Sequence, residues 1–209
     1  MAEENPKNKA KNSITILIDE GLVPPEVMVK VQDLASRYGL QIYLSTMQNL
    51  RLLDMQDEDM ETIKQELVAV GARIKGPGIF PLARLCVGSG YCSLGMTDTL
   101  AFSARITEKF KERKVKPKFK IGLSGCPASC SNPLISDIGI KSTKSGYEVT
   151  VGGKGGTRPS TGRRIAKGLD EDEVLEIIEK LVDLHDQKAG KKMRMHKLLS
   201  DPDFPFEEL

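Results

Sequence analysis

Four cysteines are the residues of this chain whose type and spacing best suit chemistry. They form two pairs, Cys86 with Cys92 (C-x5-C) and Cys126 with Cys130 (C-x3-C), and 33 residues separate the pairs. Four thiolates can hold an iron–sulfur cluster, a zinc ion or two disulfides. Zinc knuckles favour a short spacing, which the second pair fits and the first does not. The spacing therefore favours a [4Fe-4S] cluster, with zinc and unligated core cysteines as alternatives.

Composition makes a disulfide pair the least favoured reading. The N-terminal residues lack the apolar core of a secretory signal, and 209 residues can bury a core without covalent staples. The longest apolar run is far below the ~20 residues of a membrane helix, so we expect no span and a cytoplasmic location. The net charge of +2 gives no support for general nucleic-acid binding.

A basic, glycine-rich segment between Lys141 and Lys167 is a second candidate site. Its centre is the stretch Gly152-Gly153-Lys154-Gly155-Gly156-Thr157-Arg158. Glycines let a backbone approach a ligand closely, and an arginine offers a bidentate fork to a carboxylate. A solvated basic loop and a phosphate-binding loop are the alternatives. The cations of the segment, against the single acid Glu148, are Lys141, Lys144, Lys154, Arg158, Arg163, Arg164 and Lys167.

Three lysines form a third candidate. Lys116, Lys118 and Lys120 alternate with apolar residues, which predicts a strand over 118–124 with the lysines on one face. Such a face could bind an anion. It could equally be the wet side of a strand that lysines protect from aggregation.

The elements that position these residues follow from hydrophobic periodicity. The first part alternates strand and helix in the order β-α-β-β-α, which predicts a ferredoxin-like α+β layer over residues 13–75. Residues 1–12 cannot bury an apolar face and are predicted to be a mobile tail. The predicted elements are strands at 13–18, 41–45 and 50–55, a helix from Pro24-Pro25 to Tyr38, and a helix capped by Asp57 and closed by Gly71.

The second part, residues 82–190, follows a glycine- and proline-rich linker at 75–81. It predicts a helix at 97–114, a strand at 118–124, a hairpin of 135–141 with 147–152, and a capped helix at 170–186. Residues 191–209 are predicted to be an extended tail, packed only through Leu198, Leu199, Phe204 or Phe206.

The cysteine pairs and their flanks resemble the sirohaem and [4Fe-4S] region of sulfite and nitrite reductases. Two other segments agree: Thr46 to Leu52 resembles the T-x-x-Q-N segment of that family's ferredoxin-like half-domain, and Gly21 to Pro25 resembles its G-L-[IV]-P-P motif. The resemblance covers roughly residues 13–187. It implies an α+β chain with a ferredoxin-like half-domain and an α/β sirohaem and [4Fe-4S] domain. The implied activity is sulfite reduction, with nitrite reduction or non-catalytic electron transfer as alternatives.

The resemblance also implies a role for individual residues. Cys86, Cys92 and Cys126 would bind the cluster, and Cys130 would be shared by the cluster and the sirohaem iron. The catalytic residues that it implies are Lys116, Lys118, Lys120 and Arg51, the lysines by contact with the substrate. The residues implied to bind the cofactor are Thr46, Gln48, Asn49, Arg84, Ser131, Asn132, Lys154, Arg158, Arg163 and Arg164.

The chain departs from the family pattern in two respects. The family's enzymes usually carry two copies of the unit formed by a half-domain and a cluster domain, and this chain carries one. In the copy that binds substrate, an arginine follows the threonines of the T-x-x-Q-N segment. Met47 stands at that position here, and Arg51 or Arg84 could replace the arginine. Lys120 lies about 20 Å before Cys126 along an extended strand. We therefore hypothesise a two-fold homodimer in which each subunit lends its lysines to the other's haem.

Electrons are expected from a separate protein. No flavin or nicotinamide fingerprint is present, because the glycine-rich loop does not lie in the βαβ order that such a site requires. A ferredoxin-like donor, which is acidic, would suit the basic stem at 109–120. The only histidines, His185 and His196, are interpreted as structural or solvent-exposed.

Overall fold

The computed structural model describes residues 12–190 and 193–209. The chain divides into two compact units, Met1–Lys75 (unit 1) and Gly76–Leu209 (unit 2). The tail predicted for residues 1–12 lies outside the described residues, except for Asn12, which opens the first strand. Within the described part, no helix combines the length and apolar character that crossing a bilayer requires.

Unit 1 has the predicted strand and helix order, with one short strand added at its end. Its antiparallel sheet has the strand order β2-β3-β1-β4. The elements are β1 (Asn12–Leu17), α1 (Pro25–Tyr38), β2 (Gln41–Leu44), β3 (Leu50–Met55), α2 (Met60–Ala69) and β4 (Arg73–Ile74).

The core of unit 1 lies between the sheet and its helices. Helix α1 buries Val27, Val31 and Leu34, as its three-and-four spacing predicts, and ends at Gly39 in the left-handed conformation (φ 65°). The prediction that Asp57 caps α2 with its side chain is wrong. The helix begins at Met60 with no side-chain cap, and Asp57 contributes only its carbonyl, to the Met60 amide.

Unit 2 is built on a five-stranded mixed sheet of order β5-β6-β7-β8-β9. Strands β5, β6 and β7 run parallel, and β7 to β9 are antiparallel. The β7–β8 hairpin and the final helix are confirmed, and α4 has a capping box between Asp170 and Glu173. The elements are β5 (Arg84–Leu85), α3 (Thr99–Phe110), β6 (Ile121–Ser124), β7 (Ile138–Thr143), β8 (Gly146–Val151), β9 (Arg163–Leu169) and α4 (Glu171–Lys188).

The two faces of this sheet differ in what they carry. One face is apolar, and its residues share a core with α3 and α4. The other face presents Gly122 and Gly139, which are paired in register. A Cβ on Gly122 would lie 2.7 Å from Ser136 Oγ, and a Cβ on Gly139 would overlap the Pro133 carbonyl. These two glycines, the glycine row, let the segment 132–136 lie directly on the sheet.

One expectation about unit 2 is wrong. Strand β6 begins at Ile121, and Lys118 has a left-handed backbone (φ 75°), so the three lysines do not alternate along one strand face. The basic stretch after the glycine-rich loop, for which the sequence predicts no element, is strand β9. The sequence shows no strand signal here, because Arg163, Arg164 and Lys167 interrupt the apolar pattern. An edge strand tolerates such charged side chains.

The C-terminal segment packs through the residues that the sequence predicts. Leu198 is buried in the core of unit 2, and Leu199, Phe204 and Phe206 pack against that core. The prediction that the segment packs only through these residues is wrong, because Met195, in a short 3-10 turn at Met195–Lys197, is fully buried as well.

Candidate functional site

The first cysteine pair lies on the loop between β5 and α3. This loop folds back on itself: the amide of Cys92 donates to Gly88 O at 3.0 Å, and the amide of Ser89 donates to Thr97 O at 2.9 Å. Gly88 has a positive φ of 65°, which a residue with a side chain rarely adopts. The Asp98 side chain then caps α3, so the loop has a fixed end.

The second cysteine pair lies on the loop that follows β6. Ser129 and Asn132 both have left-handed backbones in this loop. Ser131 closes the loop at its base, because its hydroxyl lies 2.6 Å from Ser124 Oγ and donates to Leu123 O at 2.7 Å. Arg84 Nε donates to the Ser131 carbonyl at 2.7 Å. Ser131 and Arg84, both implied to bind the cofactor, therefore also hold the loop in shape.

The two cysteine loops are hydrogen-bonded to each other. The Met96 amide donates to Gly125 O at 2.7 Å, and the Gly125 amide donates to Cys86 Sγ at 3.2 Å. The Thr99 hydroxyl donates to the Cys86 carbonyl. Donors to a ligand sulfur raise the reduction potential of an iron–sulfur cluster. The two cysteine pairs thus lie on adjacent loops that follow β5 and β6.

The four thiols differ in exposure. All are unpaired, Cys126 is buried, Cys86 and Cys92 are partly exposed, and Cys130 is exposed. Among residues 12–190 and 193–209, no three His, Cys, Asp or Glu side chains form a group that could hold one metal ion.

We expect Gly95→Ala to loosen this pair of loops. A Cβ on Gly95 would lie 2.5 Å from Gly88 C and Ser89 N, which are backbone atoms that cannot rotate away. Overpacking of this kind costs about 1–3 kcal/mol. Urea unfolding should show that loss, together with less iron per chain. Gly90→Ala is the matched control, since nothing lies within 4 Å of its Cβ position. Equal midpoints for both variants would contradict the packing.

The lysines before β6 fall into different environments. Lys116 is held by the end of α4, since its Nζ donates to Ala189 O at 2.6 Å and its amide to Asp186 Oδ1 at 3.1 Å. Lys118 and Lys120 both reach the surface. Lys120 is nevertheless partly desolvated by its neighbours, which lowers the pKa of its amine, and the nearby cation of Arg194 lowers that pKa further. Burial likewise lowers the pKa of Arg84.

The glycine-rich loop is closed at its base and open at its tip. Lys154 and Ser160 exchange two backbone hydrogen bonds of 2.9 Å, and Arg158 is exposed between them. The loop also rests on the segment that follows the second cysteine pair, because the Gly162 amide donates to Leu134 O at 2.8 Å. Lys154 and Arg158 are thereby carried on a defined loop beside that segment.

Arg163 and Arg164 already have partners in unit 2. Arg163 Nε lies 3.1 Å from Glu208, and its NH1 donates to Leu199 O at 3.3 Å. Arg164 lies 3.6 Å from Glu148. Their implied role as cofactor ligands stays a prediction.

The candidates of unit 1 cluster at the turn between β2 and β3. Asn49 is buried, and its side chain accepts from the Ile18 amide at 3.4 Å. Gln48 lies beside Gly21, so the two segments that resemble the family meet here. Arg51 donates to Ser13 Oγ at 2.6 Å, and its Nε is buried with no hydrogen-bond partner among residues 12–190 and 193–209. Thr46 is exposed on the same turn.

The basic stem at 109–120 is less cationic than its sequence suggests. Lys109 pairs with Glu179 at 2.9 Å, and Arg113 pairs with Asp183 at 2.6 Å. Because α4 supplies these acids, the expected attraction of an acidic donor to the stem is weakened. The sequence missed this because the acids lie some 70 residues away in the chain.

Two residues near Lys120 were missed. Asp137 is fully buried and pairs with Arg194 at 2.8 Å. Arg194 lies in the segment interpreted as a tail, and no pattern linked the two positions. The one available signal was Asp137 itself, an acidic residue between two apolar stretches, 133–135 and 138–140. His185 is buried with Nε2 3.0 Å from Met193 O, in agreement with a structural role.

Comparison with protein families decides the relationship. The model described as the nitrite and sulphite reductase 4Fe-4S domain matches residues 83–204, which is more than half of the chain. The nitrite/sulfite reductase ferredoxin-like half domain matches residues 5–70. The chain belongs to the nitrite and sulfite reductase family. Membership supports the expected [4Fe-4S] cluster and sirohaem, and the assignment of the four cysteines as cluster ligands stays a prediction.

Individual relatives of this family differ in length. The chain is 30% identical to the assimilatory-type sulfite reductase of Nitratidesulfovibrio vulgaris, over 86% of this chain and 82% of the relative. It is 35% identical to the coenzyme F420-dependent sulfite reductase of Methanocaldococcus jannaschii, over 59% of this chain and 20% of the relative. It is 26% identical to the NADH nitrite reductase large subunit of Escherichia coli, over 83% and 21%.

Solved structures show the same fold. NirA of Mycobacterium tuberculosis superposes with a TM-score of 0.70 at 22% identity, over 90% of this chain and 38% of that one. Dissimilatory sulfite reductase I superposes with a TM-score of 0.75 at 14% identity, over 88% and 65%. The expected ferredoxin-like half-domain followed by a sirohaem and [4Fe-4S]-type domain is thus confirmed as the fold of the chain.

Proposed function

We propose that the chain is a small cytoplasmic sulfite reductase of the assimilatory type. It reduces sulfite to sulfide with six electrons and six protons and releases three waters. The observation that carries this proposal is the match to an assimilatory-type sulfite reductase along 82% of that protein's length. The other two relatives named are spanned for only about a fifth of theirs. Four unpaired cysteines support a reducing compartment.

Sirohaem and the [4Fe-4S] cluster supply the electron transfer when bound. Cys86, Cys92 and Cys126 would hold the cluster, and Cys130 would supply the thiolate that the cluster shares with the sirohaem. Exposed Cys130 fits that task, because a shared sulfur must face a second group. Lys118 and Lys120 hold the sulfite anion by charge and keep protons available as oxygen leaves as water.

The cations fit a cofactor that bears eight carboxylates. The buried Nε of Arg51 has no partner within the part of the chain that the structure describes, and a buried donor of this kind requires an acceptor. Arg158 is exposed at the tip of the glycine-rich loop, and Lys154 lies at its base. We assign carboxylate binding to these three residues first, with Arg84, Thr46, Gln48, Asn49 and Asn132 as further candidates. We also propose that Arg51 takes the role of the family's arginine at the position that Met47 occupies in this chain.

One experiment tests the function. Anaerobically purified protein should show a Soret band and a band in the red, and should oxidise reduced methyl viologen when sulfite is added. The same assay is run with nitrite. Faster turnover with nitrite than with sulfite would show that the protein is a nitrite reductase, which is the alternative activity. A spectrum of both cofactors without turnover would indicate an electron carrier. Colourless protein with bound zinc would contradict the proposal.

We further propose that the enzyme works as a two-fold homodimer. Lys120 precedes β6 and the cysteine loop follows it, so the strand separates a lysine from the cysteines of its own chain. A second subunit can supply the lysine instead. Mixing Cys130→Ser with Lys120→Gln subunits should restore about a quarter of wild-type activity, since half of the dimers hold one intact site. A fully active monomer would contradict this arrangement.

The electron donor is proposed to be a separate, ferredoxin-like protein. A relative from Synechococcus elongatus is named a ferredoxin–nitrite reductase, and the chain is 24% identical to it over 38% of its length. Ion pairs occupy Lys109, Lys111 and Arg113 of the stem at 109–120. Exposed Lys114 has no ion pair within the described part of the chain, so it is the cation of the stem that we assign to such a partner.

A further inference from the structure

A buried ion pair lies beside the lysine that is proposed to bind sulfite. Asp137, which directly precedes β7, is fully buried. Arg194 binds it with a two-pronged fork, from Nε to Oδ1 at 3.1 Å and from NH2 to Oδ2 at 2.8 Å. Such a fork fixes the direction of both groups. The two residues are 57 positions apart, so the pair is a feature of the tertiary fold.

The same carboxylate also holds the backbone of Lys120. The Lys120 amide donates to Oδ2 at 3.0 Å, and the Met195 amide donates to Oδ1 at 3.1 Å. With the two bonds from Arg194, four donors converge on one carboxylate. The residue that leads into β6 and the C-terminal segment therefore share a single anchor.

The pair reaches the glycine-rich loop as well. The Gly152 amide donates to the Asp137 carbonyl at 2.8 Å, and Arg194 NH2 lies 3.3 Å from Gly153 O. Lys120 and the start of the loop that carries Lys154 and Arg158 are thus fixed to the same two side chains. A shift of this anchor would move both together.

The charge on the Lys120 side chain depends on this neighbourhood. Burial lowers its pKa first, and Arg194 lowers it next. Asp137 acts in the opposite direction and raises the pKa, while Arg84 and Lys118 lower it. The anchor therefore contains one group that stabilises the ammonium and one that destabilises it.

We propose that Asp137 and Arg194 are positioning residues for sulfite binding, which fix the backbone of Lys120 and place one charge of each sign near its ammonium group. This inference rests on the proposed function. It goes beyond that function because it assigns a task to two residues outside the cofactor site, one of them in the C-terminal segment. Neither residue touches the substrate, and both act through Lys120.

The test compares Asp137→Asn with Arg194→Met in the full-length protein. Competitive acetylation with acetic anhydride across a pH series, read by mass spectrometry, reports the pKa of the Lys120 amine without any turnover. Removing the anion should move the Lys120 titration to lower pH, and removing the arginine should move it to higher pH. Arg194→Lys keeps the charge and should leave the titration close to that of the wild type.

Sulfite kinetics supply the second measurement. We expect KM for sulfite to rise about tenfold in Asp137→Asn, because misplaced binding groups weaken substrate positioning. Opposite titration shifts in the two variants support the inference, whereas equal shifts or none would overturn it, since a purely structural pair would loosen Lys120 alike in both. If Asp137→Asn does not fold, the direction of the Arg194→Met shift decides. If the two variants shift the Lys120 titration in opposite directions but the wild-type protein does not reduce sulfite, the role of Asp137 and Arg194 is supported and the proposed function is refuted.

Discussion

Cys130→Ser is expected to abolish sulfite reduction and to remove the Soret and red bands of the purified protein. Serine is a poor replacement for a thiolate bound to iron, and Cys130 is the sulfur assigned to both centres. Even residues behind the ligands of metal sites contribute 10–100-fold, so we expect a loss of more than about 100-fold. The absorption spectrum, the iron content and methyl viologen oxidation measure the effect.

The fold should survive this substitution, which separates cofactor loss from unfolding. Cys130 is exposed, and the hydrogen bonds that close its loop come from Ser131 and Ser124. Far-UV circular dichroism should therefore match the wild type. Ser93→Ala is the matched control, since Ser93 is exposed on the other cysteine loop and is not a ligand. Retained colour and turnover in Cys130→Ser would refute the shared-sulfur assignment.

Lys120→Gln is expected to reduce kcat/KM for sulfite by about 100-fold, the loss typical of removing one charge-stabilising donor from an active site. Glutamine keeps much of the length of lysine and its hydrogen bonding but has no positive charge. The spectrum of the oxidised protein should be unchanged, because Lys120 is not assigned to the cofactors. Steady-state kinetics with sulfite measure the loss.

The pH dependence gives a second signature of Lys120. Its pKa lies below the usual lysine value because burial and Arg194 disfavour the ammonium form. As pH rises through this lowered pKa, the charge is lost and KM for sulfite should increase earlier than for an ordinary lysine. Lys120→Gln should lack this limb. Lys180→Gln, on the exposed side of α4, should retain it, and its loss there would contradict the assignment.

Local chemistry in the sequence was enough to predict much of the fold. The helix α1 has proline at its start, glycine after its end and a three-and-four apolar spacing, and α4 has a complete capping box. Each of these signals lies within one element. The cysteine pairs are equally local, because each pair sits on one loop, and family membership supports the cluster that they predict.

The errors arose where distant residues decide the structure. Lys116 is held by the end of α4, and Lys109 and Arg113 pair with acidic residues of that helix. The charges of these three residues are therefore bound within unit 2. Alternation of lysine with apolar residues predicted a strand, but the left-handed backbone of Lys118 breaks it. Asp137 and Arg194 meet across 57 positions, and no periodic pattern reports such a contact.

The glycine row has a consequence for electron transfer. Segment 132–136 lies against the backbone of β6 and β7, where even a methyl group would collide, so the loop that carries Cys126 and Cys130 rests on an incompressible floor. In the proposed assignment Cys126 and Cys130 are cluster ligands, and a rigid base under their loop would limit how far they move when iron changes its oxidation state. We expect a small reorganisation energy from that restraint, which two residues without a side chain provide.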